Sequence, residues 1–408
     1  MGDYLEPLIV ACRNALDDDA PRLVWGDAVG EERGELVAIQ CELAQGDLSG
    51  ERCAALRRRQ DQLIRLHGHA WSNLKGIARR CVFGRGFVDA VEVEEVRPTT
   101  LFELLGRAPL VTSLTASQLR LADVDVLLAQ DELSELRGLA LVEDRTGELH
   151  LDTPLIERLV DAAPRLRQLH AFGLHAAIGE RGIERLVESD LLANVERLSL
   201  RYVDLTAESA RLLFAHMPKL RALELGYGGN DVTRTLPPLL VELSMWIDEV
   251  ALEAIAAGPL GQTLERLCIE GLSSERVELF GQFSRLRALD LGKCQLGLAR
   301  NPPSHWRTNL AFAEVAMPSL RELSMSPYTK GEELPQLVRT LGAHLELLHL
   351  GDLGDADVGA LRAGVAGELM VQSYPEWSKA ILRAGVDTRA PWLDKGFVDF
   401  GHNWRGAS

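Results

Sequence analysis

The sequence predicts an α/β solenoid, a curved parallel sheet with helices on its convex side, behind a helical N-terminal domain. Three observations predict it. A short pattern recurs ten times: a leucine, two residues, a leucine, one residue, an apolar residue. Its clearest copies are Leu136-x-x-Leu139-x-Leu141, Leu220-x-x-Leu223-x-Leu225, Leu286-x-x-Leu289-x-Leu291 and Leu345-x-x-Leu348-x-Leu350. The copies stand far enough apart to hold a returning helix. One strand with one helix cannot bury its apolar side alone, so the copies must stack.

Residues 1–86 read as helical. Asp17, Asp18 and Asp19 precede Ala20-Pro21, an acid followed by proline near a helix start, where the carboxylate caps orphan amides and proline loses nothing. Leu36, Ile39 and Leu43 mark one helical face. Leu56, Leu63 and Leu66 mark a second, in an Arg-rich segment from Glu51 to His69. Phe87 to Val93 alternates with period two and is expected to be the first strand of the solenoid sheet.

The repeats of residues 87–365, about ten or eleven, then begin their patterns at Val111, Leu136, Leu166, Val195, Leu220, Leu240, Leu264, Leu286, Leu320 and Leu345. The steps run from 20 residues (Leu220 to Leu240) to 34 (Leu286 to Leu320), and the longer ones leave room for a full helix. The stretch from Thr206 to Pro218 shows one. Thr206 caps it, Ala210, Leu213 and Met217 face inward, and Pro218 stops it before the next strand. Pro109, Pro164 and Pro318 recur at the same place. Residues 366–408 break the repeat and hold Trp377, Trp392 and Trp404, three of the seven tryptophans; a terminal cap is expected, with an exposed docking tail as the alternative.

Two resemblances follow from these residues. Over about 87–365 the chain resembles leucine-rich repeats of the helix-backed, ribonuclease-inhibitor-like kind. It departs from them where an asparagine usually follows the strand, since Val203 or Cys294 stands there. The run from Asp18 to Asp27, with Pro21, Arg22, Leu23 and Trp25, and the run from Glu32 to Ala44, with Arg33-Gly34-Glu35, resemble the bacterial repeat-companion domain. That family usually has Trp-Leu where Ala28-Val29 stand here, and a longer turn before its Arg-Gly-Glu. The resemblance implies no reaction, because fold alone does not give function.

Composition narrows the function. The chain carries −16 in 408 residues. Residues 1–86 hold 13 acids and 12 bases, so −15 falls to the remainder. Nucleic acid, which needs a positive footprint, is excluded as a partner, and a basic protein is admitted. No apolar run reaches the roughly 18 residues of a membrane span, and acids replace the positive charge of a signal peptide, so a cytoplasmic protein with no membrane partner is expected. The six cysteines form no CxxC, which points to reduced, buried thiols.

No motif carries chemistry. His67 and His69 lack a third ligand nearby. The three aspartates lack the alternating ligands and distal glutamate of a calcium loop. Gly226 to Asn230 is glycine-rich but lacks the lysine of a phosphate loop. No catalytic residue, metal or cofactor is therefore nominated, and the chain is read as a non-enzyme.

The candidate site is a surface. Residues between the buried leucines of a strand point to the open concave face. Those nominated are His170, Phe172, Arg197, Arg201, Glu224, Glu242, Trp246, Arg266, Glu270 and Asp290. Phe172 and Trp246 are expected to be exposed there as anchors. Glu224, Glu242, Glu270 and Asp290 are expected to receive lysine or arginine from a partner or to be merely solvated, with Arg197, Arg201 and Arg266 neutralising them in part. The function this implies is a scaffold, adaptor or inhibitor that binds a protein partner. The alternative is a regulator of an enzyme or small GTPase, which the likeness to helix-backed repeats suggests. An enzyme with an undetected site is a third class.

Overall fold

The computed structural model describes residues 5–45, 48, 50–143, 152–203, 205–226, 232–270, 276–293, 315, 317–325, 347–350 and 370–372. They fall into two compact units. Among the described residues, one holds the chain to Ala176 with Glu188–Asn194, the other Ala177–Val187 with the described residues from Val195 onward.

The first unit opens with four helices, α1 (Glu6–Asn14), α2 (Ala20–Val29), α3 (Glu31–Gln45) and α4 (Gly50–Ser72). Strands β1 (Arg80–Gly84) and β2 (Phe87–Val93) then form an antiparallel hairpin. Its turn is Arg85-Gly86, both with positive φ (50° and 84°), the backbone that a two-residue hairpin demands. Phe87–Val93 is therefore the second strand and not the first. It is the first to pair in parallel, with β3 (Ser113–Leu119), after α5 (Thr100–Arg107). Helix α6 (Leu121–Leu128), β4 (Gly138–Glu143), α7 (Asp152–Ala162) and β5 (Ala171–Ile178) continue the alternation.

The buried ladder of this unit is Val91, Leu114, Leu139 and Phe172, opposed in register, with Val93, Ala116, Leu141 and Leu174 beside it. The helices pack on its start. Leu5, Ile9, Cys12, Trp25, Val37, Cys41, Phe87 and Leu110 share one buried cluster, with the Trp25 and Phe87 ring centroids 4.4 Å apart. The Gln40 amide ties α3 to the hairpin. Its Nε2 donates to the Phe83 carbonyl (2.9 Å), and its Oε1 accepts from the Gly86 amide (2.6 Å). Arg33 stands where α2, α3, α4 and β1 meet. Its guanidinium carbon is 5.8 Å from the Trp25 ring centroid, 4.9 Å from that of Trp71 and 5.2 Å from that of Phe83. Burial pushes its pKa down to about 10, and the three rings compensate the desolvated charge.

The three aspartates divide the work expected of one cap. Asp18 accepts from the Ala20 amide (2.9 Å), Asp19 pairs with Arg85 (2.9 Å) and Asp17 with Arg137 (2.8 Å). Leu66 departs from the apolar stripe. Leu56 and Leu63 are buried, but Leu66 is 65 % exposed.

The second unit contains α8 (Glu180–Val187), β6 (Arg197–Val203), α9 (Ala207–Ala215), β7 (Ala222–Leu225), β8 (Glu242–Trp246), α10 (Glu249–Ala257), α11 (Leu260–Thr263), β9 (Arg266–Glu270), β10 (Ala288–Lys293), β11 (Glu322–Met325), β12 (Leu347–Leu350) and β13 (Met370–Gln372). These strands pair in parallel and in chain order. One register line holds Leu198, Leu223, Leu243, Leu267, Leu289, Leu323, Leu348 and Val371. This ladder of repeated leucines, with helices between strands, makes the chain an α/β leucine-rich-repeat solenoid. Helix α9 starts as expected. The Thr206 hydroxyl accepts from the Ser209 amide (3.2 Å), Ser209 returns the bond (2.9 Å), and Ala210, Leu213 and Met217 are buried. The two shortest steps, 20 and 22 residues, leave no room for an α-helix, and short 3-10 turns (Thr233–Thr235, Val277–Gln282) take its place. The C-terminal aromatic segment lies outside the described residues except for β13.

Candidate interaction face

In the second unit the strand register aligns the side chains between the leucines into three columns. The central column is Ser199, Glu224, Ser244, Cys268 and Asp290 on β6 to β10. The column before it is Arg197, Ala222, Glu242, Arg266 and Ala288. The column after it includes Arg201 on β6 and, opposed in register, Trp246 on β8 and Glu270 on β9.

The polar groups of this face are cross-linked. Ser199 donates to Glu224 Oε2 (2.5 Å), and Arg201 Nε donates to Oε1 of the same carboxylate (2.8 Å). A second arginine nitrogen, Nη2, also reaches Oε1. Glu224 is only 4 % exposed, so this is a desolvated, hydrogen-bonded ion pair. Arg197 reaches Glu242 (3.4 Å) although β7 lies between their strands. It can do so because the residue between them is Ala222, whose methyl leaves the row open. Arg266, on the adjacent strand, approaches Glu242 from the other side (3.8 Å).

This pairing changes the reading of the acids. Glu224 and Glu242 are already matched by three arginines of the same face. Asp290 is half-buried, and the Glu270 side chain lies outside the described residues.

The two aromatics separate. Trp246 is 38 % exposed, as expected of an anchor, and Val250 at the start of α10, four residues on, is 70 % exposed beyond it. Phe172 is 1 % exposed and belongs to the core of the first unit. Its register partner on β4 is Leu139, so the repeat there reads Leu169-x-x-Phe172-x-Leu174, three residues later than Leu166-x-x-Leu169-x-Ala171. The same shift moves His170 off the strand. It stands one residue before β5, exposed, with its amide donating to the Arg137 carbonyl (2.7 Å), and Gly173 takes the central column opposite Ala140. Neither His170 nor Phe172 joins the face of the second unit.

Sequence reasoning expected Arg197, Arg201 and Arg266 to neutralise the acids in part, but it missed the Ser199–Glu224–Arg201 bond set and the Ala222 gap. The signal was present in the aligned columns: an acid with a serine and an arginine one strand away, and an alanine between two long side chains of opposite charge. Among the described residues no group of three or more His, Cys, Asp or Glu is placed to hold a metal ion, and no helix is long and apolar enough to cross a membrane.

The chain matches no protein-family model and no curated protein. Among solved structures it is similar to one in the Rad7–Elc1 complex of yeast, at 13 % identity and a TM-score of 0.42, covering 91 % of this chain and 98 % of that one. It is also similar to the leucine-rich-repeat-containing protein LegL7 of Legionella pneumophila, at 15 % identity and 0.39, covering 63 % and 91 %. A third likeness is to an internalin, InlF, of Listeria monocytogenes, at 13 % identity and 0.31, covering 76 % and 91 %.

Proposed function

We propose that the chain is a non-enzymatic protein-binding module that grips its partner on the face formed by β6 to β10. The observation that carries this reading is Trp246. An indole more than one-third exposed stands on a sheet face whose polar groups are held in place by internal ion pairs. Such a face loses little side-chain entropy on association, and an exposed tryptophan supplies the apolar anchor that interfaces favour. The partner surface carries an apolar pocket for Trp246 flanked by groups of both signs. A uniformly basic partner is disfavoured, because Glu224 and Glu242 already hold arginine counter-ions.

The repeat-companion resemblance is retained as part of this proposal. Trp25, Arg33, Gly34 and Glu35, which carry it, each make a contact that joins α2, α3 and α4, with Glu35 bidentate to Arg59 (2.7 and 2.6 Å). A cytoplasmic location is part of it too, supported by the buried free thiols of Cys12, Cys41 and Cys268.

The test is affinity capture from the native host with wild type and Trp246→Ala side by side, after matching their thermal melts. The substitution is expected to remove one specific partner. Identical recovery of every captured protein by a folded Trp246→Ala chain excludes this face.

A further inference from the structure

Helix α4 presents a basic face with an exposed leucine on it. Between Glu51 and Arg80 the sequence holds eight bases and two acids, net +6 in a chain of net −16. Much of this charge is used within the first unit. Arg52 pairs with Glu42 (2.7 Å), Arg59 with Glu35, and Arg79 and Arg80 with Glu92 (3.9 and 3.8 Å). Arg58 and Arg65 are different. Both are exposed, and among the described residues neither has a carboxylate partner. Seven residues apart, they lie on one side of the helix, about 10 Å from each other along its axis. Leu66 lies beside Arg65, 65 % exposed where Leu56 and Leu63 of the same helix are buried. The one acid between Arg58 and Asn73 is Asp61, which is buried.

We propose that this face of α4 docks an acidic protein segment, with Arg58 and Arg65 holding two of its carboxylates and Leu66 packing against an apolar residue between them. Charge complementarity selects the sign of the partner. The exposed leucine selects a peptide over a phosphate backbone, which offers nothing apolar at that depth. Reach does so as well. A long polyanion is repelled by the net −22 of the residues outside this segment, whereas a short acidic segment stays within about one Debye length, roughly 8 Å at physiological salt, of the two arginines.

The probe is a fluorescein-labelled synthetic peptide of glutamates with leucine at every fourth position, titrated with the full chain at low salt and followed by anisotropy. Saturable binding is expected. Arg58→Glu with Arg65→Glu should weaken it by about tenfold or more, because reversal sets like charges against each other. Leu66→Ser should weaken it by a smaller factor, and Trp246→Ala should leave it unchanged. All these positions are exposed, so equal melting temperatures verify folding. No saturable binding, or binding that survives the double charge reversal, overturns the proposal. Tighter binding of a short DNA duplex through the same two arginines overturns it in favour of a nucleic-acid site.

Discussion

Gly34 of α3 lies directly against the backbone of Gly26 in α2: a β-carbon on Gly34 would stand 2.4 Å from the Gly26 carbonyl oxygen. Gly26 is itself pressed, its own β-carbon position being 3.2 Å from that of Val37. The two helices approach at a distance that only glycine permits, and Trp25 and Arg33, the residues just before these glycines, are brought together by that approach. Gly34→Ala is therefore expected to destabilise the chain by about 1–3 kcal/mol in urea denaturation, the usual range for overpacking. Helix propensity alone argues the reverse, favouring alanine by about 1 kcal/mol. A more stable variant would show that the close approach is unimportant.

Phe172 and Trp246 are aromatic residues on repeat strands with opposite fates. Phe172→Ala removes a fully buried ring and is expected to cost about 3–5 kcal/mol. Trp246→Ala should cost less than Phe172→Ala, because more than a third of the residue is exposed. Equilibrium denaturation of the two variants in parallel measures both, and comparable losses would remove the distinction between core and face.

The same pair shows what the sequence makes legible. Where leucines fall in one register, as at Leu223, Leu289 and Leu348, spacing alone identifies the buried ladder. Between Pro164 and His175 two overlapping patterns satisfy the rule, three residues apart. Only pairing with β4, which opposes Phe172 to Leu139, decides between them. The central and flanking columns of the second unit were legible because each strand there has a single reading. That the arginines neutralise the acids in part was legible too, but which pairs with which was not. Arg197 and Glu242 are 45 residues apart, and their meeting depends on the small side chain of Ala222 on the intervening strand. Leu66 escaped for a different reason: its spacing from Leu63 fits a helical stripe, but among the described residues nothing covers it.

Glu224 receives Ser199 and Arg201 in a desolvated setting, so its removal takes this carboxylate from a largely buried guanidinium. Glu224→Ala is expected to cost about 3–5 kcal/mol. Glu224→Gln, which keeps an acceptor for Ser199 and Arg201 but loses the charge, should cost less. Adding Arg201→Met to Glu224→Ala should recover much of the loss, since a buried pair replaced as a pair is close to neutral. A double variant as unstable as the sum of the two single ones would mean that the side chains do not act as a pair.

Cys12 and Cys41 lie in the cluster that seats the N-terminal helices on β2. Burial pushes the Cys12 thiol up, and burial with the nearby Asp19 carboxylate pushes Cys41 up to about 12, from an ordinary value of 9.0. Since the thiolate is the nucleophile, both should resist iodoacetamide in the native chain and react once urea unfolds it, as read by mass spectrometry of the peptides. The same shift has a sign in stability. The folded chain keeps these protons at a pH where the unfolded chain releases them, so the unfolded state gains as pH rises above the ordinary thiol value. Urea midpoints should fall between pH values on either side of 9.0, and Cys41→Ala should show a shallower fall than wild type. Rapid native labelling of Cys41, or an equal pH dependence in the alanine variant, would contradict a thiol sealed beneath the helices.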